Sequence, residues 1–126
     1  MSTILLVEDE ELNRTLVKAV LSRSAEPTVR AASVIDATSL AAARDRLAAG
    51  HIDLILLDMN LPDGNGLTLA RELSSADAPK PTVVAVTASV MPQDRAAAIE
   101  AGCDDFLDKP YAAADLVAVV ARHLSG

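Results

Sequence analysis

The sequence predicts an α/β domain, a doubly wound parallel sheet with helices on both faces. Three observations carry this. Short apolar runs rich in Leu, Ile and Val end in polar residues, as in Ile4 to Val7, Ile52 to Leu57 and Val83 to Val86. They lack strict apolar–polar alternation, so they read as strands buried on both faces, the habit of parallel sheets. Between them lie stretches with apolar residues at helical spacing, and the two kinds of segment alternate along the chain, as right-handed βαβ crossovers require.

Each element can be justified in turn. The first strand, Ile4 to Val7, leads into a helix marked by Leu12, Leu16, Val17, Val20 and Leu21. A second strand is expected at Thr28 to Ala32, after Pro27, with a helix carrying Leu40, Ala43 and Leu47 behind it. The third strand runs from Ile52 to Leu57 and is followed by a helix with Leu67, Ala70 and Leu73. After the fourth strand, a helix opens at Pro92, carries Ala96 and Ile99, and stops at Gly102. Proline suits a first helical turn and glycine the residue past a helix end. A short fifth strand, Asp105 to Leu107, precedes a last helix with Leu116, Val119, Val120 and Leu124. The expectation is five strands and five helices in strict β-α order.

Composition narrows the function. A chain of 126 residues fits one domain, and the expectation is a single domain, 1–126, without an output domain. Phe106 and Tyr111 are its only aromatics, which argues against stacking nucleobases on aromatic platforms. Eleven basic against 18 acidic residues give a net charge of −7, a sign that repels phosphate backbones, so no direct nucleic-acid partner is expected. Cys103 stands alone, without a disulfide partner or metal-binding CxxC spacing. No apolar run is long enough to cross a bilayer, and no basic leader precedes the first strand. A cytoplasmic setting without a membrane partner is the expectation.

The functional signal lies at the strand ends. The first strand delivers Glu8 and Asp9, the third Asp58, the fourth Thr87, and the fifth Asp108 and Lys109. In open parallel sheets, sites form at the carboxyl ends of strands beside the switch in strand order. If these strands are neighbours, three carboxylates, a hydroxyl and an ammonium converge on one cleft. Crowded carboxylates repel and call for a counter-ion, and hard oxygen donors without His or Cys favour Mg²⁺. Lys109 and Thr87 would suit a tetrahedral anion held against the metal. Asp58 would then be a nucleophile that attacks phosphorus and becomes an aspartyl phosphate. Acidic residues also cap helices at such turns, and that ordinary role suffices for any one of these residues, though not for all five on one edge.

The motifs resemble a known family. The segments Ile4-Leu5-Leu6-Val7-Glu8-Asp9-Glu10-Glu11-Leu12-Asn13 and Asp53-Leu54-Ile55-Leu56-Leu57-Asp58-Met59-Asn60-Leu61-Pro62, the latter followed by Gly64 and Gly66, are similar to response-regulator receiver domains. So are Val86-Thr87-Ala88 and Ala101-Gly102-Cys103-Asp104-Asp105-Phe106-Leu107-Asp108-Lys109-Pro110. The stretch Val86 to Met91 resembles receivers of hybrid kinases and of single-domain cell-cycle regulators. The resemblance implies a flavodoxin-like sheet of order 2-1-3-4-5, with Asp58 as phosphoacceptor. It implies Mg²⁺ bound by Asp9 and Asp58 directly, by Glu8 through water, and by the backbone carbonyl of Asn60. Thr87 and Lys109 would contact the phosphoryl group, and the Lys109-Pro110 bond would be cis. Thr87 and Phe106 would form the switch, while Asn60 and Ser89 would tune how fast water removes the phosphoryl group. The implied donor is a histidine kinase or histidine phosphotransfer protein, with Leu12 and Asn13 as candidates for docking it. The product is a conformation, displayed to a downstream protein on the face made by the fourth helix, fifth strand and fifth helix. Such a domain catalyses only its own phosphorylation and dephosphorylation and is otherwise no enzyme.

Two departures and two competitors stand beside this. The switch aromatic is Phe106, not Tyr, so an inward ring gains burial but no hydroxyl hydrogen bond. The family's usual Asn-Gly turn before the second helix is missing. A phosphatase of the haloacid dehalogenase type also uses an Asp nucleophile and Mg²⁺, but needs an acid two residues later, where Asn60 stands. A non-phosphorylated interaction module would have lost site residues that are all present here. A flavin site lacks its phosphate-cradling loop after the first strand.

Overall fold

The computed structural model describes residues 2–76, 80–88 and 91–124. In chain order the elements are β1 (Thr3–Val7), α1 (Glu11–Ser22), α2 (Pro27–Ala31), β2 (Ser33–Ala37), α3 (Leu40–Ala49), β3 (Leu54–Asp58), β4 (Asn60–Leu61), β5 (Gly64–Asn65), α4 (Gly66–Ser75), β6 (Thr82–Thr87), α5 (Pro92–Ala101), β7 (Asp105–Asp108) and α6 (Ala113–His123). Five strands pair in parallel in the order β2-β1-β3-β6-β7. Setting aside the two-residue antiparallel pair β4–β5, this is the 2-1-3-4-5 order of a flavodoxin-like sheet.

The apolar runs become strands because both of their faces are covered. Ile4, Leu6, Leu54, Leu56, Val84 and Val86 pack on one side against Val17 and Leu21 of α1, Val29 of α2, and Leu116, Val119 and Val120 of α6. Leu5, Val7, Ile55, Leu57, Val83 and Ala85 pack on the other against α3, α4 and α5, through Leu40, Ala43, Leu69, Ala70, Ala98 and Ala101. Every residue of β3 is buried. Removing such Leu, Ile and Val side chains from water stabilises the fold by about 2 kcal/mol each.

The expected second strand is corrected. Residues Thr28 to Ala32 lie in and just after a short helix, α2, with Pro27 in its first turn and Val29 buried. The β-branched Thr28 and Val29 suggested a strand, but Pro27 presets a helical φ and Val29 packs as a helical residue. The strand that pairs with β1 starts at Ser33, aligned with Thr3. It lies at the sheet edge, mostly half-buried, so its sequence Ser-Val-Ile-Asp-Ala carries a weak apolar signal. Among the described residues there are therefore six helices rather than five.

Two helix faces also differ from expectation. Leu12 and Leu16 of α1 are 68% and 54% exposed, and Ile99 of α5 is 61% exposed. The core side of α5 is built from alanines, Ala98 and Ala101, which let the helix approach the sheet closely. Its end follows the sequence. Gly102 adopts φ +103°, and a Cβ there would strike Ser74.

Candidate functional site

The carboxyl ends of β1, β3, β6 and β7 lie side by side, so the turns leaving them bring Glu8, Asp9, Asp58, Thr87 and Lys109 to one edge of the sheet. Glu8 and Asp58 are buried, at 5% and 6% exposure, whereas Asp9 is exposed. One carboxylate oxygen from each of these three acids lies within 4.8 Å of the other two. Lys109 reaches in from the loop after β7, its Nζ 3.2 Å from Asp58 Oδ2 and 3.5 Å from Glu8 Oε1.

Neighbouring donors orient the acids. The Asn60 backbone N–H donates to Asp58 Oδ1 at 3.1 Å, and the Glu10 N–H to Glu8 Oε2 at 3.2 Å. Asn13 Nδ2 donates to Glu8 Oε1 at 3.2 Å, which brings this residue of α1 into the cluster. Burial opposes the charged form of Lys109, but the Asp58 and Glu8 carboxylates outweigh it and hold the ammonium above the ordinary lysine pKa. One cation cannot compensate three carboxylates. The donor set is all oxygen, without His or Cys, and suits a hard divalent cation such as Mg²⁺.

The remaining expected residues surround this cluster. Thr87 ends β6, half-buried, in register with Asp108, and its carbonyl accepts the Lys109 N–H at 2.8 Å. The Lys109-Pro110 peptide is cis. Phe106 on β7 is half-buried and borders a cavity of about 450 Å³ shared with Met59, Asn60 and Thr87. Ser89 lies outside the described residues. Leu16 and Val20 of α1 face Pro110 and Tyr111 across a groove of about 500 Å³ that also touches Lys109. Cys103 is buried, and that burial pushes its thiol up to about 11, so it is an inert apolar side chain.

Several residues have roles that the sequence alone did not assign. Gly66 opens α4, where a Cβ would stand 2.4 Å from the Asp58 carbonyl oxygen, so only glycine lets α4 start against the end of β3. Asp63, in the β4–β5 turn, accepts the Leu40 and Ala41 N–H groups at 2.8 and 3.0 Å and so caps α3. Arg95 of α5 places its guanidinium 5.2 Å from the Phe106 ring centre and donates to both Asp108 oxygens at 2.6 Å. The spacing of Gly66 after Asp58 was visible in the sequence. The Arg95 contacts depend on the packing of α5 against β7 and were not.

A 2-1-3-4-5 parallel sheet with an oxygen-lined acidic cleft and a lysine at its carboxyl edge is the fold and site of a receiver-type signalling domain. The chain belongs to the response regulator receiver domain family, whose profile matches residues 4–121. Such domains work in two-component signalling with histidine kinases or phosphotransfer proteins. The aerobic respiration control sensor protein ArcB of Escherichia coli (strain K12) is 37% identical over 121 residues, covering 94% of this chain but 15% of that protein. The two-component response regulator ORR41 of Oryza sativa subsp. japonica is 34% identical over 125 residues, covering 97% of this chain and 94% of the relative. Among solved structures, the Mn²⁺-bound form of response regulator Rcp1 superposes with a TM-score of 0.78 at 30% identity, covering 95% of this chain and 89% of that one.

Proposed function

We propose that the domain, residues 1–126, accepts a phosphoryl group on Asp58 from a phosphohistidine of a histidine kinase or histidine phosphotransfer protein in the cytoplasm. The observation that carries this reading is the meeting of Glu8, Asp9 and Asp58 within 4.8 Å, with Lys109 3.2 Å from Asp58. Asp58 Oδ attacks phosphorus in line; the new O–P bond forms as the P–N bond to imidazole breaks, its electron pair returning to the ring nitrogen. Lys109 neutralises charge on the transferring oxygens, and the Thr87 hydroxyl donates to them. Asp9 and Asp58 directly, Glu8 through water, and the Asn60 carbonyl would hold Mg²⁺, which supplies further charge neutralisation when bound. The Mn²⁺ carried by the similar Rcp1 supports this assignment.

The same domain releases the group to water, at a rate tuned by Asn60 and Ser89. Thr87 and Phe106 couple the site to the face made by α5, β7 and α6, where a downstream protein binds. The exposed Leu12, with Asn13 and Leu16 lining the groove that reaches Lys109, suits docking of the phosphohistidine donor. A haloacid-dehalogenase-like phosphatase is disfavoured by Asn60, which cannot transfer a proton, and a non-phosphorylated module by the intact site.

Intact-mass measurement after incubation with acetyl phosphate and Mg²⁺ tests the reading. The expected result is a gain of one phosphoryl group, lost on chelation. No gain, or a gain that survives chelation, would reject it. Phe106→Ala should still label but should lose phosphorylation-dependent binding to the downstream partner.

A further inference from the structure

The acid pair is gripped from behind by a side chain that plays no part in the chemistry above. Arg14 of α1 donates from Nη1 to the backbone carbonyl of Glu8 at 3.0 Å. Its side chain is 17% exposed, and its Nε lies 3.7 Å from Asp36 Oδ2. Asp36 sits near the end of the edge strand β2 and is itself held by Lys18 Nζ at 2.5 Å. That hydrogen bond, with the nearby positive charges, keeps the Asp36 carboxyl below its usual range, so it stays ionised against Arg14. On the other side of Glu8, its own N–H donates to the Ala37 carbonyl at 3.0 Å.

The Glu8 carbonyl belongs to the peptide that joins Glu8 to Asp9. Holding its oxygen fixes the plane of that peptide and hence the direction in which the exposed Asp9 leaves β1. Glu8 needs little such help, being buried and held by Asn13 and Glu10. Asp9 lies exposed in a turn, and rotation of the preceding peptide would swing its carboxylate away from Asp58.

We propose that Arg14 is a positioning residue for the divalent-cation site: anchored by Asp36 on the edge strand, it locks the Glu8–Asp9 peptide so that the Asp9 carboxylate is aimed at Asp58. This rests on the assignment of the cation to Glu8, Asp9 and Asp58. Outer partners that orient metal ligands contribute about tenfold or more in affinity. Charge alone predicts the opposite sign, because deleting a cation beside an anionic cluster makes it more attractive to Mn²⁺ or Mg²⁺. The sign of the change therefore separates positioning from electrostatics.

Calorimetric titration of Mn²⁺ into the full chain, below the melting temperature of each variant, reads this out without any phosphoryl donor. Arg14→Ala is expected to raise Kd about tenfold. Arg14→Met, which keeps the length and apolar stem but no donor, should do the same and serves if the alanine variant folds poorly. Unchanged or tighter binding by the folded Arg14 variants, with Asp9→Asn abolishing it, would overturn the positioning role alone. Absence of binding by the unaltered protein, or binding that survives Asp9→Asn, would overturn both this inference and the cation assignment.

Discussion

The two ends of the sheet carry the same residue type to opposite effect. At the amino end, each aspartate has donors of its own. Asp53 accepts the Thr3 N–H at 2.8 Å and meets His51 Nε2 at 2.7 Å, tying β3 to β1. Asp104 accepts the Val83 N–H at 2.9 Å and Lys80 Nζ at 3.1 Å, tying the loop before β7 to β6. Asp105 accepts from the Phe106 N–H and from Arg122 and His123 of α6. At the carboxyl end, Glu8, Asp9 and Asp58 crowd together with one lysine among them. The lesson is one of ratio: acids with individual partners stitch the fold, whereas acids in excess over cations form a cluster that could hold a metal ion.

Exchanging acids at the two ends should therefore give opposite phenotypes. The largest effect is expected at Asp58. Asp58→Asn should abolish acetyl-phosphate labelling, yet thermal melting without divalent ions should show no loss of stability, because removing one of three repelling charges offsets the lost Lys109 pair. Added Mg²⁺ should raise the melting temperature of the unaltered protein but not of this variant. A marked destabilisation by Asp58→Asn would contradict the repulsion among the three acids.

A smaller effect is expected at the amino end. Asp53→Ala should cost about 1 kcal/mol in urea unfolding at neutral pH, since it leaves the Thr3 N–H without its carboxylate partner. Labelling should be unchanged. The Thr3 N–H, then His51, hold the Asp53 carboxyl below its ordinary value in the folded state. Its contribution is thus present above the unfolded value and lost as pH falls through the folded one, so the gap between variant and parent should close below about pH 4. A gap that widens on acidification would contradict the assignment.

The smallest concerns Cys103, which precedes Asp104 at the amino end. Burial favours the neutral thiol and raises its pKa from 9.0 to about 11. Its contribution to stability is complete below pH 9 and lost as pH rises toward 11. Iodoacetamide at pH 8 should modify the folded protein far more slowly than the urea-unfolded chain. Equal rates would place the thiol on the surface.

Much of this was legible before the structure. The strands β1, β3 and β6 declared themselves because both faces are buried, and the residues that close them, Glu8, Asp58 and Thr87, marked the functional edge. The fourth helix was bounded correctly by Pro92 and Gly102. The edge strand β2 was missed since only Ala37 of its five residues is fully buried, and Pro27 with Thr28 and Val29 offered a competing signal that resolves as a helix. Ile99 marks the helical spacing of α5 but is exposed, because spacing alone cannot say which stripe faces the sheet when the alanines Ala98 and Ala101 do the packing. Arg95 and Asp63 act through contacts across longer sequence separations, and Arg14 through its anchor on Asp36, for which one sequence holds no local sign.

The central claim, that the crowded acids at the carboxyl end react while the paired ones do not, has a direct test. Asp53 and Asp58 fall on the same tryptic segment, between Arg46 and Arg71. Labelling with acetyl phosphate and Mg²⁺, trapping the acyl phosphate by borohydride reduction, and sequencing that peptide by fragmentation separates them. The account predicts reduction at Asp58 alone. Reduction at Asp53, or at an aspartate outside this segment such as Asp104, would contradict it.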